Sequence, residues 1–439
     1  MSGTFTKFEV TDVRMPTSET LVGSDAMNPD PDYSAAYLQV HTSSGESGFG
    51  FIFTIGRGND VAVAAIRALE ERVVGLDVET ACADLRGLWQ RLVYDSQIRW
   101  LGPECGVTHM AIGAVVNAVW DLHARRLGKP LWKVLADMPP EELISVVDFR
   151  HISDAITPGE ALDLLKAAAD GKSAREAKLL SEGFPAYTTS AGWLGYSDEK
   201  VSRLVNAAIT EGFTHLKIKV GSNLDDDVRR VGMVRELVGL DVTLSLDANQ
   251  RWDVDEAIAA MARLSKFDVE WIEEPTHPHD ILGHRAIAQA IAPIAVATGE
   301  HAANRILFKQ LLASDAIGVC QIDACRVAGI NENLAILLLA AKYGKRVCPH
   351  AGGVGLCEVV QHIAMFDFVA LGGSLDRRWI EHVPHLHEHF VQPVHVENGQ
   401  YLAPTAPGSG AQMMASSVAD FTFPTGRIWA HRHAAAGVE

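Results

Sequence analysis

The chain has 439 residues, too many for one small core, so two domains are the natural expectation. Hydrophobic residues make up 48% and charged residues 21%, enough to bury a large α/β interior, and a formal net charge of -17 argues against nucleic acid or an anionic membrane as partner. An acidic small molecule stays open, because a local cation can reverse the field inside one pocket.

In chain order, Thr4 to Arg14 and Ala36 to His41 alternate apolar and polar residues and predict half-exposed antiparallel strands. Between them runs SDAMNPDPDY, from Ser24 to Tyr33, too rich in Asp and Pro for regular structure. An apolar run from Phe49 to Ile55 leads into a second loop, Gly56 to Asn59. Helical patterns follow at Asp60–Val74, Val78–Val93 and the nearly all-apolar Gly106–Leu127, which predicts a helix buried on most sides. Residues 1–143 thus read as an α+β capping domain. Residues 144–183 hold one strand-like and two helical runs and read as a linker with an insertion.

From about Phe184 the pattern changes. Short apolar runs alternate with amphipathic helices about eight times over residues 184–402, which predicts parallel strands closed into a (β/α) barrel. An open nucleotide-binding sheet would carry a Gly-rich turn after its first strand, and none is present. The Pro/Gly-rich segment 403–439, with His431 and His433 near its end, is expected to pack back on the first domain. The six cysteines form no Cys-x-x-Cys pair and read as free thiols in a reducing compartment. With no signal-peptide pattern and no uncharged run of membrane-spanning length, a cytoplasmic protein is expected.

The chemistry concentrates where the barrel strands end. Lys217 and Lys219 close HLKIKV, Asp247 closes LSLD, Glu273 closes VEWIE, and Glu300, Asp323 and His350 close the next three runs. The spacing from Lys219 onward is about 23 to 28 residues, one barrel unit each, so these side chains should gather at the C-terminal mouth. Asp247, Glu273 and Glu300 make an all-oxygen set that suits a hard cation, Mg²⁺ first and Mn²⁺ as a substitute; the plainer reading is three solvated or Arg-paired acids. Asn249 and Glu274 lie just beyond as supporting groups. Lys217 and Lys219 point the same way and, beside a divalent metal, would depress each other's pKa, so that one could serve as a neutral base; alternatively both only neutralise the acids. Asp323 and His350 come from adjacent strand ends, where the carboxylate would orient the imidazole as acid or base.

The KIK, DAN, WIEEP, TGEH and Asp…His series resembles the mandelate-racemase-like branch of the enolase superfamily. Longer strings, including GSDAMNPDPDYSAAY, FTIGRGND, RWLGPE, GWLGYSDEK, DANQRWD, NENLAILLLAAK and PHAGGVGLCE, are similar to the L-fuconate dehydratase family within it, over essentially the whole chain. The resemblance implies a modified TIM-type (β/α)7β barrel and a Mg²⁺-dependent acid-sugar hydro-lyase that assembles as a homo-oligomer and converts L-fuconate to its 2-keto-3-deoxy acid. Lys219 would take the α-proton, the metal would hold the enediolate, Lys217 would add positive charge, and His350, oriented by Asp323, would protonate the departing 3-hydroxyl. Glu381, in RRWIEHV, would hydrogen-bond the enediolate, against the alternative of a salt bridge to Arg377 or Arg378. Substrate contacts fall to Ser24, Asp25 and Tyr33 on the cap loop, Tyr187 and Thr188 at the first barrel strand, Asn249, and Gly352, Gly353 and Gly355, where backbone can approach closely. Loop capping by Ser24 and Asp25 is the plain alternative. A racemase or another sugar-acid dehydratase on the same scaffold is the nearest rival, and a non-catalytic acid-sugar binder a more distant one.

Overall fold

The computed structural model describes residues 3–436; the outermost tips of the capping and C-terminal segments, residues 1–2 and 437–439, lie outside the described residues. Strands β1 (Phe5–Arg14), β2 (Ser34–Thr42) and β3 (Ser47–Thr54) form an antiparallel sheet in that order. Its inner face packs on the helix Gly106–Arg126. Gly48 and Gly50 on β3 allow this, since a Cβ on either would lie 2.1 or 2.2 Å from the carbonyls of Ala118 and Ala114. The helix is buried almost all round, which its lack of a polar face demanded. Two other helical patterns break. Asp84 caps a new turn by accepting from Gly87 N, splitting the second pattern into Val78–Ala83 and Leu85–Val93, and the first ends at Arg67.

Eight parallel strands form the barrel: β4 (Phe184–Thr188), β5 (His215–Lys219), β6 (Thr243–Asp247), β7 (Val269–Glu273), β8 (Ala295–Thr298), β9 (Val319–Cys320), β10 (Arg346–Val347) and β11 (Ile380–His382). Each neighbour pairs with the next, β11 returns to β4, and Glu381 N donates to Pro349 O to close the ring. An α-helix follows each strand from β4 to β10, whereas only a single 3-10 turn, His387–His389, separates β11 from the next strand, the (β/α)7β arrangement. In the segment 144–183 the strand-like run Ile144–Phe149 is no strand: it finishes a short helix at Ser145 and passes through turns, a short apolar run being equally at home in a buried loop. Helices Pro158–Ala167 and Lys172–Glu182 follow.

The domains are tied through the segment that follows β9. Trp89 Nε1 donates to Ala328 O, Asn117 Nδ2 to Ala324 O, and Trp120 Nε1 to Asn331 Oδ1. The C-terminal segment adds two more bonds: Met413 N donates to the Tyr37 hydroxyl, and Trp429 Nε1 to Arg14 O. Where β12 (Val396–Glu397) and β13 (Gln400–Tyr401) meet the barrel, β13 pairs antiparallel with β4.

A buried charge network also crosses the boundary. Glu332 accepts from His109 Nε2 (2.7 Å), Ala328 N (2.7 Å), Arg305 N (3.0 Å) and the Arg305 guanidinium (3.1 Å), which also pairs with Glu104. Burial disfavours the Glu332 anion, but His109 and Arg305 outweigh it and hold the carboxyl down at about 2. Arg305→Met strands two buried carboxylates and should cost about 3–5 kcal/mol of stability, read as a lowered urea midpoint. Because the Glu332 pKa is depressed, its contribution is present above about pH 4.3 and is lost as pH falls toward the folded value. The gap between wild type and variant should therefore narrow in that acid range; a gap independent of pH would show that the network carries no charge-dependent stability.

Candidate active site

The register explains why the charged residues meet. Lys219, Asp247 and Glu273 are direct partners across β5, β6 and β7, so three side chains stand at one level of the barrel. Glu300 joins from the turn after β8, and ligand atoms of Asp247, Glu273 and Glu300 lie within 4.8 Å of one another, all buried. Below this level Tyr187, Trp271, Ala297, Val319, Cys348 and Trp379 fill the barrel as an apolar floor.

Lys217 Nζ lies 2.5 Å from Glu273, 3.0 Å from Glu381 and 3.6 Å from Asp247, fully buried. Lys219 Nζ donates to Asp247 Oδ2 at 2.5 Å. The carboxylates around the two lysines outweigh their mutual depression. Burial disfavours both charges, yet Glu273 and Glu381 raise the Lys217 pKa well above its ordinary value and Asp247 raises that of Lys219. The acids outnumber the amines. Burial and the neighbouring carboxylates push Glu273 well up and Glu300 up, the mark of anions short of cations. Asn249 Oδ1 is also buried with no hydrogen-bond partner. An oxygen-only, electron-rich, partly unpaired set of this kind fits a hard divalent ion.

His350 Nδ1 meets Asp323 Oδ2 at 2.8 Å, and its Nε2 lies 3.6 Å from Glu300. Burial opposes the imidazolium, but Glu300 and the Asp323 hydrogen bond push its pKa up to about 10. Both Glu381 oxygens are committed: Oε1 to Lys217 and to Thr189 Oγ1 (2.5 Å), Oε2 to the N–H groups of Ala351 (3.0 Å) and Gly352 (3.1 Å). It thus fixes the lysine and the His350 loop rather than offering a free donor. Arg377 pairs with Glu270 and Arg378 with Asp367, which removes the alternative partners of Glu381.

A cavity of about 250 Å³ opens over this cluster, lined by cap and barrel residues together. Of the sequence candidates, Asp25, Tyr33, Lys219, Asn249, Glu300, Asp323, His350 and Gly352 line it. A Cβ on Gly352 would sit 3.3 Å from His350 Nε2, so the glycine keeps that nitrogen accessible. Five substrate-contact expectations are corrected. Ser24 is buried and its hydroxyl donates to Leu194 O, a loop-capping role. Tyr187 points into the apolar floor, its ring 5.5 Å from Trp271. Thr188 meets Ser190 (3.0 Å), and alternation along the strand instead turns Thr189 toward Glu381. Gly353 lies against the Phe53 ring, where a Cβ would come within 2.6 Å. Gly355 is likewise packed on Phe51 and Phe390 rather than on the cavity. Asp25 does line the cavity, but it also caps its loop by accepting from Met27 N and Asn28 N, each at 2.7 Å. Sequence reasoning missed His301, Arg326 and Met110, which also line the cavity, while Arg57 reaches it from the cap loop 56–59, expected to face the substrate; for His301 the TGEH string was a visible signal.

Two family profiles cover the chain: the mandelate racemase / muconate lactonizing enzyme N-terminal domain matches residues 13–136, and the enolase C-terminal domain-like profile residues 200–417. The chain belongs to the enolase superfamily, in its mandelate racemase-like branch. Among its superfamily relatives, human mitochondrial enolase superfamily member 1 is 48% identical over 97% of both chains. Its crystal structure matches with a TM-score of 0.97, covering 98% of this chain and 99% of that one. L-galactonate dehydratase of Hypocrea jecorina is 50% identical over 96% of this chain and 94% of its own. The structure of L-talarate/galactarate dehydratase from Salmonella typhimurium, liganded with Mg and L-lyxarohydroxamate, is 25% identical with a TM-score of 0.75, covering 95% of this chain and 91% of that one. Among the described residues no helix is long and apolar enough to cross a membrane, and all six cysteines are free.

Proposed function

We propose that this chain is a Mg²⁺-dependent sugar-acid dehydratase acting on a six-carbon acid of L-galacto configuration. The observation that carries the reading is the pairing of a buried amine, Lys219, with a carboxylate-oriented imidazole, His350, around one cavity whose wall includes Glu300, one of three converging acids. The names of the relatives support the sugar-acid class, and one of them acts on L-galactonate. L-Fuconate, to which the sequence pointed, shares the configuration of L-galactonate from C2 to C5 and lacks only the C6 hydroxyl.

When bound by Asp247, Glu273 and Glu300, a divalent ion would supply Lewis-acid stabilisation of charge on the substrate carboxylate and would neutralise the Asp247 anion that now holds the Lys219 proton. Lys219 Nζ takes the proton from C2, and the electron pair of that bond spreads toward the carboxylate. Lys217, held by Glu273 and Glu381, adds fixed positive charge beside it. His350, kept protonated at neutral pH, delivers its Nε2 proton to the C3 hydroxyl. Water leaves, and the enol tautomerises to a 2-keto-3-deoxy acid. Asp323 only orients and charges the ring.

The same amine and imidazole could exchange a C2 proton without elimination, which is the epimerase reading. Incubating L-fuconate and L-galactonate with enzyme and Mg²⁺ separates the two. Formation of a semicarbazide-reactive 2-keto acid is expected; recovery of the C2 epimer alone would overturn dehydration.

A further inference from the structure

The mouth of the barrel contains a second oriented imidazole that the mechanism leaves unused. After β8 the chain turns sharply at Gly299, whose φ of 154° and contact with Gln321 O (2.3 Å from an added Cβ) admit no side chain. Ala302 N donates to Gly299 O at 3.0 Å, closing a β-turn whose two central residues are Glu300 and His301. In a strand these neighbours would face opposite ways; in the turn both serve the same site.

His301 is held on one side only. Its Nδ1 lies 2.9 and 3.1 Å from the two oxygens of Glu274, a fully buried carboxylate that follows β7. Gln250 donates to the same carboxylate at 3.0 Å. Glu274 is itself placed by backbone in the left-handed region, as are Asn249 and Gln250, with φ of 41°, 45° and 65°. Three such non-glycine residues side by side are a strained arrangement, of the kind retained where the orientation of a side chain matters. The Nδ1 edge is spent inside this cluster, since it faces both Glu274 oxygens and also lies 2.7 Å from Gln250 Nε2. Among the described residues Nε2 has no partner, while the ring lines the cavity with its side chain 33% exposed. The pair repeats the Asp323–His350 arrangement from the other side of Glu300, which lies 3.4 Å from His301 Nδ1 and 3.6 Å from His350 Nε2.

The geometry points to His301, oriented by Glu274, as a specificity-determining contact to one hydroxyl of the sugar acid beyond C3. This rests on the sugar-acid reading of the site. An imidazole nitrogen that loses water on substrate binding and finds no hydroxyl is left unpaired, and such a site discriminates strongly against the missing group.

The test is a cross of residue against hydroxyl. kcat/KM and thermal-shift binding are measured for the L-galacto acid and its 4-deoxy, 5-deoxy and 6-deoxy analogues, with wild type, His301→Phe and His301→Gln. Wild type should reject one analogue by roughly 10- to 100-fold. His301→Phe should lose that same factor on the full acid, nothing further on that analogue, and should penalise the others as it does the parent. His301→Gln should recover part of the loss. Equal loss on every member, or none, overturns the inference and leaves His301 as a support for Glu300. Absence of any 2-keto acid with wild type would instead defeat the dehydratase reading, and binding to the deoxy series would still report whether His301 reads a hydroxyl.

Discussion

The Lys219→Met variant is expected to fold, to keep its affinity for the sugar acid, and to turn over about 10³- to 10⁴-fold more slowly. Methionine nearly matches the lysine stem in volume, and the backbone of β5 at this position is fixed by its pairing with β6, so the barrel has no reason to shift. What disappears is the one amine that both lines the cavity and reaches the three-acid cluster among the described residues, Lys217 being sealed beneath it. A loss confined to kcat with an unchanged dissociation constant identifies Lys219 as the group that moves the proton. Turnover near the wild-type rate would leave only a binding protein, or a base elsewhere. A loss of affinity with kcat unchanged would show that Lys219 merely holds the acid.

Removing divalent ions should have an effect of similar size. EDTA is expected to reduce turnover by at least about 10³-fold, with Mg²⁺ restoring it fully and Mn²⁺ at least in part. A second readout needs no substrate. Asp247, Glu273 and Glu300 are buried within 4.8 Å of one another, so an ion that binds the folded chain relieves their repulsion and raises its stability. At a hundred times its dissociation constant that gain is about 2.7 kcal/mol, visible as a higher melting temperature. Glu273→Gln should abolish the melting shift together with the activity. Full activity in EDTA would exclude the mechanism outright.

The composition of the barrel and its mouth was legible because both depend on periodicity. Strand–helix alternation and ionisable strand ends at a constant spacing required only that the strands be parallel and adjacent, and the Lys219–Asp247–Glu273 register is that requirement met in space. What escaped lies in single-residue geometry. A one-residue error at the end of β4 exchanged Thr188 for Thr189, since each step reverses the face. His301 was passed over because strand alternation turns it away from Glu300, and only the Gly299 turn brings it back. How many carboxylates the fold presses against Lys217 and Lys219 was likewise invisible in the sequence, because spacing alone does not show which acids reach each amine. Apolar runs as short as Ile144–Phe149 carry too little pattern to tell a strand from a buried turn.

The ties between cap and barrel bear on how a sugar acid enters. A domain that swings must break its bonds on one side, and this cap is held at several places: Trp89, Asn117 and Trp120 bind the segment 324–331, Asn304 Nδ2 donates to Glu104 O, Ser24 donates to Leu194 O, and Trp429 and Met413 return to it from farther along the chain. Traffic into the cavity is therefore left to the segments around Asp25–Tyr33 and Ile55–Arg57 that roof it. Loops of that length open and close within nanoseconds to microseconds, so admission should outpace bond breaking by orders of magnitude. Slowing the solvent with a viscogen would then leave kcat/KM untouched.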